Sequence, residues 1–327
     1  MYAITVQGQS DLPQLTWAEV PEVVCGAQEV LVDVRATAVN RADLAQARGH
    51  YPPPPGASPI LGLEMAGVIR QVGGQVSGWQ VGDRVCALLA GGGYAEQAAV
   101  HQRLLLRLPE DWSFAQGAAV PEAWYTAFVN LFGEGQLRPD EAALIHAGAS
   151  GVGTAAIQLA RMHGSRVFIT AGTEAKLSVC QALGAELAIH YKEQDFVAAV
   201  LAATGGQGVD VILDPVGGSY LARNVKVLRR FGRIVNIGLL GGSHGELDMA
   251  AVLRQRLKII GSTLRNRTLT EKIAITRQFE SQVWPHLLSG ELRPILDTTF
   301  PIQAAQAAHD YVRRDQNIGK VILLIGE

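Results

Sequence analysis

The chain has 327 residues, 48% of them hydrophobic and 18% charged, with 28 basic against 30 acidic side chains. A single core stops growing near roughly 250–300 residues, so the length predicts two domains, and the excess of apolar over charged residues excludes a disordered chain. A net charge of −2 gives no general attraction to a polyanion, which argues against nucleic acid or an anionic membrane as partner.

The N-terminal stretch MYAITVQGQSDLPQ has neither a basic n-region nor an apolar h-region, so no secretory signal is expected. The first third reads as β-rich. Residues 30–39 and 66–72 alternate apolar and polar, with glycine punctuation at Gly73-Gly74, Gly82-Asp83 and Gly91-Gly92-Gly93. The run from Tyr51 to Gly56, YPPPPG, fits neither a helix nor a central strand and is expected as a loop with preset φ angles. Cys25, Cys86 and Cys180 are too few and too scattered for a disulfide framework or a zinc lobe, and they point to a reducing, cytoplasmic setting.

From about residue 140 the rhythm changes. Segments 142–146, 166–171, 186–190, 209–213 and 231–237 have strand length, and 152–163, 174–183, 193–203 and 219–229 have helix length. This alternation predicts a doubly wound parallel sheet covered on both faces, a Rossmann domain. Residues 142–160 carry no charge, but His146, Ser150, Thr154, Gln158 and three glycines make them a strand, turn and helix rather than a membrane span. Val152, Ala155, Ala156, Leu159 and Ala160 then form one apolar helix face. A further strand is expected at 257–262, a long helix at 269–289, and a return to the first domain that ends in the apolar run 320–325. The expected domains are 1–122 with 263–327, and 123–262.

The central motif is Ala147-Gly148-Ala149-Ser150-Gly151-Val152-Gly153, between the first strand and first helix of this pattern. Glycines there allow a tight turn, close approach of backbone N–H groups to a pyrophosphate, and tight helix–strand packing, while the helix N-terminus attracts the anion. NAD sites usually carry an Asp or Glu about 20 residues further on, at the end of the second strand. This chain has Gly172 there, which leaves room and no negative charge, with Lys176 one turn later and Tyr191 just after the third strand. These residues favour NADPH, and Glu174 is the contrary observation.

In the order Asn40-Arg41-Ala42-Asp43, Tyr51-Pro52-Pro53, Leu61-Gly62-Leu63-Glu64, Val81-Gly82-Asp83-Arg84-Val85, the glycine turn, Asp214-Pro215-Val216-Gly217-Gly218 and Asn317-Ile318-Gly319-Lys320, the chain resembles a known family. This is the zeta-crystallin-like, zinc-free quinone oxidoreductase branch of the medium-chain dehydrogenase/reductase superfamily, and the match looks closest to the p53-inducible quinone reductase type. The resemblance implies a GroES-like β-rich catalytic domain beside the Rossmann domain, with NADPH in a cleft between them. The superfamily's alcohol dehydrogenases hold catalytic zinc with a cysteine where this chain has Asn40 and a histidine where it has Leu63, so no metal is expected. Without a Lewis acid, alcohol oxidation is disfavoured and hydride delivery to an electron-poor acceptor remains.

Several site residues follow from the resemblance. Tyr51 is expected beside the nicotinamide and acceptor, stacking on a flat quinone and donating its O–H, the alternative being a loop aromatic that caps the core. Asn40 is expected as a hydrogen-bond donor in the cleft or as a turn-stabilising residue, and Ser150 as a contact to nicotinamide or acceptor or as a helix N-cap. Thr126 is implied to pack on the nicotinamide, Gly238, Leu239, Leu240 and Leu264 to line its carboxamide side, and Asn317 to reach the adenosine phosphate. Arg41 and Glu64 read as structural. The expected activity is an NADPH-dependent quinone reductase. The alternatives are an NADPH-dependent enoyl or acrylyl reductase with Tyr51 as proton donor, and a non-catalytic NADPH-binding or RNA-binding protein, which the neutral charge disfavours. The apolar stretch 257–262 suits an edge strand that pairs two copies into a homodimer.

Overall fold

The computed structural model describes residues 1–8 and 13–326. The chain divides into two compact units, Met1–Tyr125 with Leu264–Glu327, and Thr126–Thr263. The first division falls inside the helix Pro121–Phe128, slightly later than the sequence pattern suggests.

The first unit is built on a seven-stranded sheet. Its neighbours run Leu296–Pro301, Lys320–Leu324, Glu29–Val39, Glu64–Val72, Arg84–Leu88 and Leu105–Arg107, and Gln97–His101 also pairs with Glu29–Val39. Glu29–Val39 is the trunk: Gln97–His101 holds its first half, Lys320–Leu324 its second half, and Glu64–Val72 its other edge. Most of its residues are therefore buried, where alternation suggested one wet face. Val30, Val32, Val34, Ile69, Val85 and Leu323 share one core cluster, each contributing roughly 1.5–3 kcal/mol on burial. Tyr2–Gln7 and Gln14–Glu19 pair as a separate two-stranded antiparallel sheet.

The second unit is a six-stranded parallel sheet in the order Leu187–His190, Arg166–Ala171, Ala142–Ile145, Val209–Asp214, Leu228–Asn236, Lys258–Gly261. In chain order this is third, second, first, fourth, fifth, sixth, the dinucleotide-binding arrangement whose order reverses between the first and fourth strands. Register places Leu187, Phe168, Leu144, Ile212, Ile234 and Ile259 in one row across the sheet. Leu144, Phe168, Ile212 and Ile234 are fully buried, whereas Ile259 on the outer strand is 42% exposed.

The expected helix 269–289 is two helices, Leu269–Gln282 and Trp284–Leu288, broken at Val283 because Pro285 has no N–H to continue the ladder. The structure adds the short helices Arg41–Ala47 and Met249–Gln255 and the helix Ala305–Arg313 to the elements that the sequence pattern predicts. Among the described residues no helix is long and apolar enough to cross a membrane, and the three cysteines are unpaired.

Candidate functional site

In the second unit the glycine turn joins Ala142–Ile145 to the helix Gly151–Met162. Ala147 sits at φ 52°, Gly148 N–H donates to Thr170 O at 2.9 Å, and Ser150 N–H returns to Ala147 O at 2.9 Å. A Cβ on Gly148 would lie 2.7 Å from Ile169 Cβ, and one on Gly153 would lie 2.5 Å from the carbonyl oxygens of both Ala147 and Gly148. Both glycines are therefore required by close backbone approach, which is the cradle a dinucleotide pyrophosphate needs. Ser150 is the N-cap, its Oγ accepting from Gly153 N–H at 3.0 Å. Its hydroxyl proton and second lone pair remain for a ligand. Ala149, Gly151 and Val152 complete the turn and present the helix N-terminus.

A buried network underlies this turn. His146 Nδ1 lies 3.0 Å from Thr170 Oγ1 and Nε2 lies 2.8 Å from Asn224 Oδ1, while Asn224 Nδ2 donates to Asp214 Oδ2 at 3.1 Å. Asp214 Oδ1 accepts from Val216 N–H at 2.7 Å and Gly217 N–H at 3.1 Å. The ends of the first, second and fourth strands are thus tied where the strand order reverses. Burial holds the His146 imidazole below its usual pKa, so it bonds as a neutral ring. The motif position just before the turn was the signal for it.

At the end of the second strand, a Cβ on Gly172 would meet Tyr191 Cε1 and Oη at 3.0 Å. The room expected over Gly172 is occupied by the Tyr191 ring, a correction with a simple cause: Tyr191 follows the neighbouring strand and its N–H donates to Ala171 O at 3.1 Å. Thr173 caps the helix Glu174–Ala182, and Lys176 stands in its first turn. Glu174, His190 and Glu193 group nearby, their potential ligand atoms within 4.8 Å of one another.

Gly238, Leu239 and Leu240 follow the fifth strand. Asn236 Nδ2 donates to Gly238 O at 3.0 Å and to Asp214 O at 3.1 Å, and Leu240 N–H donates to Pro215 O at 3.1 Å, which laces this loop to the one after the fourth strand. Leu239 and Leu240 are each 57% exposed. Thr126, in the helix Pro121–Phe128, is partly exposed, with its carbonyl accepting from Asn130 Nδ2 at 2.7 Å.

In the first unit Tyr51 opens the proline loop, and a partner missed from sequence fixes it. Arg265, 2% exposed, donates from Nη1 to Tyr51 O at 3.1 Å and from Nε to Ala90 O at 2.8 Å, with its guanidinium 5.3 Å from the Tyr51 ring centre. Lys272 Nζ in turn donates to Arg265 O at 2.6 Å. Burial, then the Glu122 charge, pushes the Tyr51 phenol up, and Arg265 opposes the shift, so the hydroxyl is a neutral donor at pH 7. Leu264, buried beside Arg265, places the apolar side of this segment.

Asn40 is held differently from its expected role as a donor to the acceptor. Its Nδ2 donates to Glu64 Oε1 at 2.9 Å and to Ala38 O at 3.3 Å, and its Oδ1 accepts from Lys320 Nζ at 2.7 Å. Both amide hydrogens are committed, so Asn40 orients Glu64 and Lys320 instead. Lys320 Nζ also lies 2.7 Å from Glu64 Oε1, and Glu64 Oε2 accepts from Glu122 N–H at 2.8 Å. Glu122 itself has an Oε2 shielded from solvent without a hydrogen-bond partner. Asn317, expected at the adenosine phosphate, donates from Nδ2 to Gly319 O at 2.8 Å and shapes the turn that delivers Lys320. Tyr51, Asn40, Leu264 and Asn317 belong to the first unit. The glycine turn, Thr126, Gly172, Lys176, Tyr191 and Gly238 to Leu240 belong to the second.

Comparison with known proteins gives a consistent set of likenesses. The alcohol dehydrogenase GroES-like domain matches residues 26–110, and the zinc-binding dehydrogenase family matches residues 151–278. The chain is 36% identical, over 98% of its length, to a phenolphthiocerol synthesis polyketide synthase of Mycobacterium marinum, of which it spans 15%. It is 32% identical, over 91% of its length, to the quinone oxidoreductase of Rattus norvegicus, of which it spans 90%. Among solved structures, an NAD-dependent alcohol dehydrogenase superposes with a TM-score of 0.89 at 30% identity, covering 100% of both chains. The CurK enoyl reductase gives 0.87 at 28% identity, covering 99% of each chain. The Escherichia coli quinone oxidoreductase complexed with NADPH gives 0.89 at 26% identity, covering 99% of this chain and 100% of that one.

Proposed function

The chain belongs to the medium-chain dehydrogenase/reductase superfamily, and from that premise we propose that it is an NADPH-dependent reductase of quinones that works without metal or flavin. The observation that carries this reading is the Asn40–Glu64–Lys320 cluster. Asn40, where the resemblance puts a zinc-ligating cysteine, is bonded to the Lys320 ammonium together with Glu64, and Leu63 stands where it puts the histidine. Leu63 offers no ligand atom and the Asn40 amide is already bonded through both its nitrogen and its oxygen, so the residues do not fit a catalytic zinc despite the name of the matched family. An acceptor that is already electron-poor needs no Lewis acid.

The residues of the second unit do fit a dinucleotide. Ala149 to Val152 present backbone N–H groups and the helix N-terminus to the pyrophosphate, while Tyr191, Gly172 and Lys176 receive the adenosine 2′-phosphate. Thr126 and Gly238 to Leu240 orient the nicotinamide, which when bound supplies the hydride. Tyr51, clamped by Arg265, stacks on the flat acceptor and donates its O–H. The rat and E. coli relatives support this assignment. The exposed outer strand Lys258–Gly261, with Ile259 on its surface, is assigned to pairing two copies as a homodimer.

A second reading, reduction of an activated alkene on a thioester, is favoured by the likeness to CurK and to the polyketide synthase. Steady-state oxidation of NADPH with 1,2- and 1,4-quinones against enoyl thioesters separates the two. Preference for the quinone is expected, and a higher kcat/KM for the thioester overturns it in favour of the second reading.

A further inference from the structure

We propose that Glu174, His190 and Glu193 form a binding site for a divalent cation of the zinc class, and that the bound cation strengthens the hold of the second unit on a phosphorylated dinucleotide. The coupling rests on the reading of Gly172, Lys176 and Tyr191 as the 2′-phosphate pocket, while the cation site itself does not. All three ligands belong to the second unit, apart from the Asn40–Glu64–Lys320 cluster of the first.

Two neighbouring strand ends deliver these ligands. Glu174 opens the helix Glu174–Ala182 directly after its N-cap Thr173. His190 ends the strand Leu187–His190, which lies at the outside of the parallel sheet beside Arg166–Ala171. Its main chain is fixed on both sides: its N–H donates to Gln194 Oε1 at 3.0 Å, and its carbonyl accepts from Glu193 N–H at 3.0 Å and Gln194 N–H at 2.8 Å. One imidazole nitrogen and one carboxylate oxygen from each glutamate lie within 4.8 Å of one another.

The imidazole separates this group from an ordinary acidic surface. His190 is 8% exposed, yet among the described residues neither ring nitrogen makes a hydrogen bond. Nδ1 is shut off from solvent without a partner, and Nε2 stands 3.7 Å from Glu193 Oε1, too far for one. Buried polar side chains are nearly always satisfied, so a histidine held in this way, with a nitrogen toward two carboxylates, points to a ligand. Zinc bonds imidazole nitrogen and carboxylate oxygen at about 2.0–2.2 Å, which sets two ligands of one tetrahedral ion about 3.4 Å apart. The His190–Glu193 gap is close to that spacing, and the exposed side chains of Glu174 and Glu193 can turn inward to meet the ion. One histidine and two carboxylates supply three protein ligands of the kind zinc takes, and leave a fourth position open.

The open position determines what the cation does. Glu174 shares the first turn of its helix with Lys176, and His190 precedes Tyr191, whose ring covers Gly172. Two carboxylates beside the assigned 2′-phosphate repel it. A divalent cation between them cancels that charge and offers the phosphate a ligand position, so NADPH gains affinity and NADH, which has no phosphate there, does not.

Calorimetric titration of zinc chloride alone into the chelator-treated chain reads the site without any dinucleotide. One equivalent per chain is expected, with affinity at least about tenfold weaker in Glu174→Gln and Glu193→Gln, whose surface positions leave the fold intact, and lost in His190→Gln. A wild-type chain that takes up no zinc overturns the proposal, and so does zinc that binds the wild type and all three variants alike. Saturating zinc is then expected to tighten NADPH about tenfold in the wild type and to leave NADH unchanged, with no effect on either in Glu193→Gln. NADPH affinity that zinc does not move, in a chain that already prefers NADPH to NADH, overturns the coupling. Equal affinity for the two dinucleotides without zinc sinks the phosphate-pocket reading and takes the coupling with it, while the zinc titration still decides the cation site.

Discussion

Replacing Lys320 by Met tests the buried cluster that sets the chemistry. Lys320 is 4% exposed and Glu64 is fully buried, with Nζ and Oε1 2.7 Å apart. At an effective dielectric constant of about 20, that separation corresponds to roughly 6 kcal/mol of attraction. Desolvation of both ions offsets much of it, so the pair adds little net stability, but removing one partner strands the other charge and costs about 3–5 kcal/mol. For a unit of this size the loss lowers the melting temperature by roughly 6–20 °C. Glu64→Gln alone strands the ammonium and carries a similar cost. In Glu64→Gln/Lys320→Met no charge is stranded, and the amide oxygen can still accept from Asn40 Nδ2 or Glu122 N–H, now at 2.9 and 2.8 Å from the Glu64 oxygens. Urea denaturation of the four proteins should therefore give a double-variant cost well below the sum of the singles, with a coupling of about 2–3 kcal/mol. Additive costs, or a Lys320→Met penalty under about 1 kcal/mol, would refute the reasoning.

Further outcomes follow from other sites. Lys176→Ala should weaken NADPH about tenfold, or about 1.4 kcal/mol, and leave NADH unchanged by calorimetry; equal losses for both would show that Lys176 does not face the 2′-phosphate. Burial holds His309 down to about 4, against about 6.5 in the unfolded chain, so its contribution grows as pH rises from about 4 and is complete above about 6.5. Relative to wild type, His309→Gln should lose roughly 3 kcal/mol more at pH 7 than at pH 4 in denaturant melts, and a pH-independent difference would contradict the buried neutral ring. Ile259→Lys places a charge on the outer strand and should convert a dimer to a monomer in light scattering, whereas a wild-type monomer would remove the edge-pairing assignment.

The second unit was largely legible because parallel strands buried on both faces leave apolar runs such as 166–171, which is also the observed strand Arg166–Ala171. The glycine turn was legible because local steric demand leaves a local mark. The first unit was less so. Its trunk strand is contacted by three others and loses the alternation of a half-wet strand. Asn40 and Asp43 form a capping box that opens the helix Arg41–Ala47, a start signal too short to stand out in the sequence. At the site, Arg265 meets Tyr51 across 214 positions of sequence and Lys320 meets Asn40 across 280, so no spacing rule could pair them. Gly172 looks like open space in the sequence because its filler, Tyr191, arrives from the adjacent strand.

Gly172, Lys176 and Tyr191 are assigned to a 2′-phosphate that NADPH carries and NADH lacks. Titration calorimetry of the wild-type protein with NADPH and with NADH, under one buffer and salt, measures this directly. NADPH is expected to bind at least about tenfold more tightly, a difference of about 1.4 kcal/mol. Equal affinity, or tighter binding of NADH, would contradict the assignment and turn attention to Glu174 as the ribose-binding acid.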